Sequence, residues 1–276
     1  MNDLISSSLQ KLKLNNISNP DLDLRILLNH CSRKKNEIIF SNFDHQDINI
    51  KKFNTLLKRR LNYEPISKIL NKKNFWKYDF YVNEDVIDPR PESEFIIEEV
   101  LKLINNKNKK INILDIGTGS GCLAVCLAKE YKFSKITAVD ISFKAIKVAK
   151  KNFIIHGCAD QIIGKTCDIN KIKRSFDLIV SNPPYLSSLE YNKTSSEIKK
   201  FEPKSAFLGG NDGLLFYKKY SKILPKLMKS KSYLVLEIGE KQAKNCINIL
   251  SSANLRFVKK VKDFQKKDRI LVFYKL

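Results

Sequence analysis

From residue 111 to the C-terminus the chain alternates short apolar, β-branched runs with segments of helical spacing, and that rhythm limits the possible folds more than anything else in the sequence. The runs are Ile111–Ile116, Ile136–Asp140, Ile162–Thr166, Phe176–Ser181, Tyr233–Ile238, Leu255–Val261 and Arg269–Tyr274. Helical patterns occupy 121–130, 142–155, 213–228 and 240–252. Runs with little polar alternation belong to strands buried on both faces, and intervening helices serve as crossovers. The expected class is therefore α/β, a mostly parallel seven-stranded sheet with helices on both faces. No helical pattern separates the last two runs, so they are expected to form an antiparallel hairpin at one end.

The first part of the chain follows a different rule. All nine glycines lie at or beyond Gly117, and "DLISSSLQKLKL", "NPDLDLRILLNHCS" and "DINIKKFNTLLKRRLN" repeat apolar residues every three or four positions. These segments predict a small helical bundle over residues 1–70, with Asn19 as an N-cap and Pro20 at the first helical position. "NFWKYDFYVNEDVID" reads as a hairpin within a linker over 71–90. Pro91, followed by Glu92 and Glu94, then starts a helix carrying Phe95, Ile96, Ile97, Val100, Leu101 and Ile104. The third segment is 91–276.

Composition narrows the class. A share of 43% hydrophobic residues is sufficient for a sizeable core. No apolar run reaches the roughly 18 residues of a membrane span, and the N-terminus has no signal-peptide pattern, so a cytoplasmic protein is expected. The six cysteines form no C-x-x-C pair and there are three histidines, a set that does not suit a zinc site; no metal is expected. The net charge of +22 suits an acidic partner. It rests on lysines spread along the whole chain, whereas specific phosphate grips favour arginine.

Two strand ends carry chemistry. "INILDIGTGSGCLAV" gives Gly117, Gly119 and Gly121 between a strand and a helix, a G-x-G-x-G spacing that lets a ligand approach bare backbone. Asp140 ends the next strand 23 residues after Gly117, where a carboxylate can accept both hydroxyls of a ribose. Together they point to a nucleoside cofactor, with Asp168 after the third strand facing an adenine amine. The fourth strand runs into "SNPPYLSS". Asn182 thus emerges at the carboxyl end of the sheet, where open α/β folds bind ligands. A planar NH₂, whether of an amide or of an adenine, is a poor nucleophile because its lone pair is delocalised. If the Asn182 side-chain oxygen and the Pro183 carbonyl each accept one N–H, the nitrogen is drawn toward tetrahedral geometry and can attack a methylsulfonium carbon. Pro184 stiffens the turn, and Tyr185 can stack on the flat group.

At this point the chain resembles the bacterial glutamine-N5 methyltransferases of peptide chain release factors. The helical first domain, "EPISKILNKKNFW", "DPRPESE", "DIGTGSG", "AVD", "SNPPY", "FEPKSAFLGGNDG" and "EIGEKQ" occur in that family's order along nearly the whole chain. The resemblance implies a Rossmann-like S-adenosyl-L-methionine (SAM) domain behind a helical substrate-recognition domain. It also implies methylation of the glutamine in a release factor's Gly-Gly-Gln loop, by a monomer that requires neither nucleic acid nor a membrane. Carried over by motif, Gly117, Thr118, Gly119, Ser120, Gly121, Asp140, Asp168, Ile169 and Asn182 would hold the cofactor. Asn182, Pro183 and Tyr185 would carry catalysis and, with Pro184, hold the glutamine. Arg90 and Glu92 would support the site, while Glu202, Gly209 and the rest of "FEPKSAFLGG" would shape the substrate wall.

The departures from the family pattern lie in turns and at the periphery. Ile169 replaces a frequent aromatic, Ser93 a threonine, Asn71 a glycine and Lys73 an arginine. "MKSKSYLVLE" lacks the usual proline and glycines, and "DFQKKDRI" lacks a glycine. The alternatives are an adenine-N6 methyltransferase of nucleic acid, a ribosomal-protein glutamine methyltransferase and a non-catalytic SAM-binding module. No segment large enough for a DNA-recognition domain is left over, "RPESE" fits the release-factor branch, and the cofactor and acceptor residues are all present.

Overall fold

The computed structural model describes residues 3–34 and 45–276, so part of the segment read as helical, 35–44, lies outside the described residues. The chain divides into two compact units, Met1–Asn71 and Lys72–Leu276.

The first unit contains α1 (Asp3–Leu14), α2 (Pro20–Cys31), α3 (Ile50–Leu61) and α4 (Ile66–Leu70). Their apolar stripes meet in a core of Ile5, Leu12, Leu24, Leu27, Phe53 and Leu57. Burial of these stripes, more than helix propensity, holds helices of this length. Pro20 opens α2 as read, but Asn19 differs from expectation: it stands at the N-cap without a side-chain cap bond. Asn49 does cap α3, accepting from the Lys52 N–H at 3.1 Å. Arg60 of α3 donates to buried Asp23 of α2 at 2.7 Å, tying the two helices together. Asn71 ends α4 at φ +53°, a left-handed position that asparagine tolerates better than most residues.

The second unit begins with a hairpin, β1 (Lys73–Phe75) and β2 (Tyr78–Phe80). A 3-10 turn (Pro91–Ser93) then leads into α5 (Glu94–Leu103), so Pro91 starts a tight turn and the α-helix begins three residues later. The sheet strands are β3 (Asn112–Ile116), β4 (Lys135–Asp140), β5 (Ile162–Thr166), β6 (Phe176–Ser181), β7 (Met228–Glu237), β8 (Arg256–Lys262) and β9 (Asp268–Lys275). Their order is β5-β4-β3-β6-β7-β9-β8, parallel except for β9, which runs antiparallel to both its neighbours. The final hairpin therefore puts β9 inside the sheet and leaves β8 at the edge. β7 begins five residues earlier than the sequence suggested, because Met228 pairs with Phe176 ahead of a kink at Lys231, φ +59°.

Helices α6 (Cys122–Glu130) and α7 (Phe143–Ile155), together with α5, pack on one face of the sheet. On the other face lie α10 (Leu215–Leu227) and α11 (Ala243–Ser251). Two short helices, α8 (Ser188–Asn192) and α9 (Ser196–Phe201), follow β6. The chain proceeds outward from β3 to β5 and returns to β6 on the other side of β3. The reversal opens a crevice at the carboxyl ends of β3, β4 and β6, the ends that carry the residues singled out above. No helix among the described residues is long and apolar enough to cross a membrane.

Candidate active site

The glycine turn after β3 is built to leave backbone bare. Gly117, Gly119 and Gly121 all have positive φ, at +70°, +52° and +82°. The N–H groups of Gly117 and Thr118 both donate to the Val139 carbonyl, at 2.9 and 3.0 Å, pinning the turn to the end of β4. A Cβ on Gly121 would come within 2.6 Å of the Phe153 ring of α7, so this glycine serves packing as well as conformation. Thr118 turns inward and donates to fully buried Asp115 at 2.6 Å. Burial pushes the Asp115 carboxyl up to about 7, with the Thr118 bond opposing. The Ser120 carbonyl accepts from Asn152 at 2.8 Å. Of the five turn residues read as cofactor contacts, Gly117 and Gly119 line the adjoining cleft, while Thr118, Ser120 and Gly121 stand behind it and shape the turn.

That cleft encloses about 890 Å³ including its open mouth. Its wall carries Asp140, Ile141, Asp168, Ile169 and Phe216. Asp140 accepts the N–H of Gly119 at 3.0 Å and of Ser142 at 2.9 Å. Burial raises its pKa and these bonds oppose the rise. Each carboxylate oxygen has two lone pairs, so both can still accept from a ligand hydroxyl. Asp168 accepts from the Asn170 N–H at 2.9 Å and from the Lys219 ammonium at 2.5 Å, which hold its carboxyl below the usual range. The Lys219 pairing was not foreseen. A bare glycine turn, a strand-end carboxylate and an apolar flank of Ile141, Ile169 and Phe216 fit a nucleoside carrying a charged tail.

A smaller pocket of about 290 Å³ adjoins this cleft, and Ile87, Asn182, Pro183 and Ala206 line both. Asn182 donates through Nδ2 to Ser93 Oγ at 2.8 Å, and Ser93 donates to Glu237 Oε2 at 2.5 Å. Tyr185 donates its hydroxyl to the other Glu237 oxygen at 3.2 Å. Glu237 is completely buried, and burial pushes its carboxyl up to about 7 against the two donated bonds. Among the described residues, no donor reaches Asn182 Oδ1 or the Pro183 carbonyl. Both acceptors are therefore available at the seam between the two cavities.

The rest of the acceptor turn is clamped from behind. Leu186 donates its N–H to the Phe207 carbonyl at 2.9 Å and receives the Gly209 N–H at 2.8 Å. Gln242 donates to the carbonyls of Tyr185 at 2.8 Å and Gly213 at 3.3 Å, and accepts from the Gly239 N–H at 3.0 Å. Arg90 grips Glu202 at 2.8 and 2.9 Å and lies over the Phe207 ring, and Glu202 also accepts the Asp88 N–H. Arg90 lines the small pocket, whereas Glu92 lines neither cavity.

Sequence reasoning placed "RPESE" near the site but gave Ser93 no role, and it assigned none to Glu237 or Gln242. The available signal for Glu237 was an acid closing an otherwise apolar strand, "YLVLE", at the carboxyl end of the sheet.

Comparison with known proteins agrees with this architecture. Residues 3–70 match the family described as "PrmC N-terminal domain", and residues 91–202 match "Methyltransferase small domain". A release factor glutamine methyltransferase of Fusobacterium nucleatum is 35% identical over 276 residues, covering 98% of this chain and 77% of that one. The Flavobacterium psychrophilum protein of the same name is 34% identical over 248 residues, covering 88% and 86%. A bifunctional methyltransferase of Rickettsia bellii is 39% identical over 262 residues, covering 84% of this chain and 47% of its own, so the chain spans about half of that protein. With that identity over most of both partners, a methyltransferase sheet and an Asn-Pro-Pro-Tyr turn at its switch point, the chain belongs to the release factor glutamine methyltransferase family.

Proposed function

We propose that the protein transfers a methyl group from SAM to the side-chain amide nitrogen, N5, of the glutamine in the Gly-Gly-Gln motif of peptide chain release factors. SAM, when bound, supplies an electrophilic methyl group on a positively charged sulfur. The chain's own residues deal with the other half of the problem, an amide nitrogen that does not attack readily. One observation carries the reading. Asn182 Oδ1 and the Pro183 carbonyl are two acceptors to which no described residue donates, on adjacent residues, where the cleft and the small pocket meet.

A primary amide placed in the small pocket can donate one N–H to each acceptor. The pair then favours a nitrogen whose lone pair has left conjugation, which is stabilisation of the reacting state over the ground state. As the N–C bond forms and the methyl–sulfur bond breaks, the same two acceptors draw off positive charge, and one N–H proton passes to solvent at the cleft mouth. Tyr185 lines the pocket beside them and covers the flat face of the amide. Asp140 would accept from the ribose, and Gly117 and Gly119 would let the cofactor tail approach backbone. Ile169 and Ile141 would flank the base, with Asp168 toward its amino edge. The helical unit up to Asn71 carries none of these groups, and its role in this reading is to recognise the protein substrate.

The test is incubation with SAM and an intact release factor, followed by peptide mass spectrometry. A single methyl group on the loop glutamine is expected. Methylated adenine in added RNA, with the glutamine unmodified, would overturn the reading.

A further inference from the structure

The acceptor role of Asn182 depends on which end of its amide faces the substrate. An asparagine amide has an acceptor and a donor end of nearly the same shape, so only its surroundings decide the orientation. Turned the other way, Asn182 would present NH₂ to an incoming NH₂ and repel it. Resting on the methyl-transfer reading above, we propose that Ser93 and Glu237 are positioning residues that hold the Asn182 amide with its oxygen toward the reacting nitrogen.

The number of available donors fixes the orientation. An ionised carboxylate only accepts. Ser93 lies 2.5 Å from Glu237 Oε2, so its single hydrogen must go there. The Ser93 oxygen is then left to accept from the Asn182 neighbour at 2.8 Å, and only Nδ2 can supply a hydrogen. Tyr185 donates to the second Glu237 oxygen, so the relay runs inward from both substrate-side residues and ends on one buried carboxylate. The four members come from the 3-10 turn before α5, the turn after β6 and the end of β7, separated by up to 144 residues in sequence.

Protonation of Glu237 would undo this polarity. A carboxylic acid can donate to Ser93, which frees the Ser93 hydrogen to point at Asn182 and accommodates the reversed amide. The groups facing Glu237 set where this happens. Glu92 of the 3-10 turn raises its pKa, Arg269 of β9 lowers it, and Ser93 and Tyr185 donate to its oxygens. Tyr217 of α10 gives its hydroxyl to the Glu237 main-chain carbonyl at 3.1 Å. Burial outweighs the stabilising contacts and places the transition at about 7.

The test compares full-length wild-type, Ser93→Ala, Ser93→Thr and Glu237→Gln proteins on an intact release factor. Ser93→Ala and Glu237→Gln should lower kcat on the order of 10- to 100-fold while leaving SAM affinity unchanged, since neither residue lines the cofactor cleft. Ser93→Thr keeps the hydroxyl and should stay close to wild type. The wild-type kcat should fall as pH drops through about 7, and Glu237→Gln should lose that limb. Ser93→Ala with wild-type kcat, or Ser93→Thr as impaired as Ser93→Ala, would overturn the relay while leaving methyl transfer intact. A second readout does not depend on turnover. In protein labelled with isotopic asparagine, the side-chain NH₂ signals of Asn182 should shift with a midpoint near pH 7 in wild type and not in Glu237→Gln. Signals indifferent to pH would reject the relay even if the wild-type protein methylated no glutamine, a result that would itself refute only the substrate assignment.

Discussion

Replacing Gly209 by alanine tests whether the clamp behind the acceptor turn sets catalytic geometry. A Cβ at this position would lie 2.7 Å from the Pro184 carbonyl oxygen, 2.8 Å from the Gly213 carbonyl oxygen and 3.0 Å from Tyr185 Cα. All three are backbone atoms, so no side chain can swing aside. The shortest contact falls 0.7 Å below the 3.4 Å at which ordinary van der Waals contact begins. The strap bearing Gly209 is bonded to Leu186, and the Tyr185 carbonyl is held by Gln242. The strain is therefore passed to Pro184 and on to the neighbouring Pro183 carbonyl. Overpacking of this size costs about 1–3 kcal/mol in stability. For a misplacement approaching 1 Å, the expected loss of turnover is on the order of 10- to 100-fold. SAM affinity by calorimetry should fall less than turnover, because Gly209 itself does not line the cofactor cleft. Gly157→Ala is the control: its Cβ meets nothing within 4 Å, and at φ +61° it costs only backbone strain of about 1 kcal/mol. If Gly209→Ala turned over like Gly157→Ala, the clamp would have no part in positioning the acceptors.

Four further outcomes are expected. Asn182→Ala should keep SAM affinity and reduce kcat strongly; equal loss of cofactor binding would make the residue structural. Asp140→Ala should weaken SAM binding by about 1–3 kcal/mol, the scale of a lost charged hydrogen bond, and unchanged calorimetric affinity would reject the ribose role. Glu237 has a folded pKa of about 7, above the ordinary glutamate value of 4.5, so the stability it contributes is full below the lower value and is lost as pH rises through the higher one. The stability of Glu237→Gln relative to wild type should therefore improve between pH 5 and 8, by up to about 3 kcal/mol, and a constant difference in melting temperature would refute this. Lys266 adopts φ +62° in the turn between β8 and β9, within the segment "DFQKKDRI" that lacks the family's glycine. Lys266→Gly should raise the melting temperature by about 2 °C, and a fall would show that the left-handed strain there is not costly.

The sheet was legible because its strands are buried on both faces, so the apolar runs mark them within a residue or two at most ends. β7 was misjudged at its start because "MKSKS" is polar: these residues pair with β6 only through Met228, before the kink at Lys231. The short helices α8 and α9 carry too few apolar residues to show a period. Within the site, Gly117, Asp140 and Asn182 declare themselves by position at strand ends. Ser93, Glu237 and Gln242 do not, because their roles arise from contacts between distant parts of the chain, 144 residues apart for Ser93 and Glu237, 89 for Ser93 and Asn182, and 57 for Tyr185 and Gln242. The segments that lack the family's glycines hold left-handed backbone on side-chain-bearing residues, at Asn71, Lys231 and Lys266.

The most direct measurement is a structure of the protein with S-adenosylhomocysteine and a Gly-Gly-Gln peptide. The glutamine amide nitrogen should lie about 2.7–3.2 Å from both Asn182 Oδ1 and the Pro183 carbonyl, with Asn182 Nδ2 still on Ser93. A glutamine bound elsewhere, or an Asn182 whose NH₂ faces the substrate, would contradict the account.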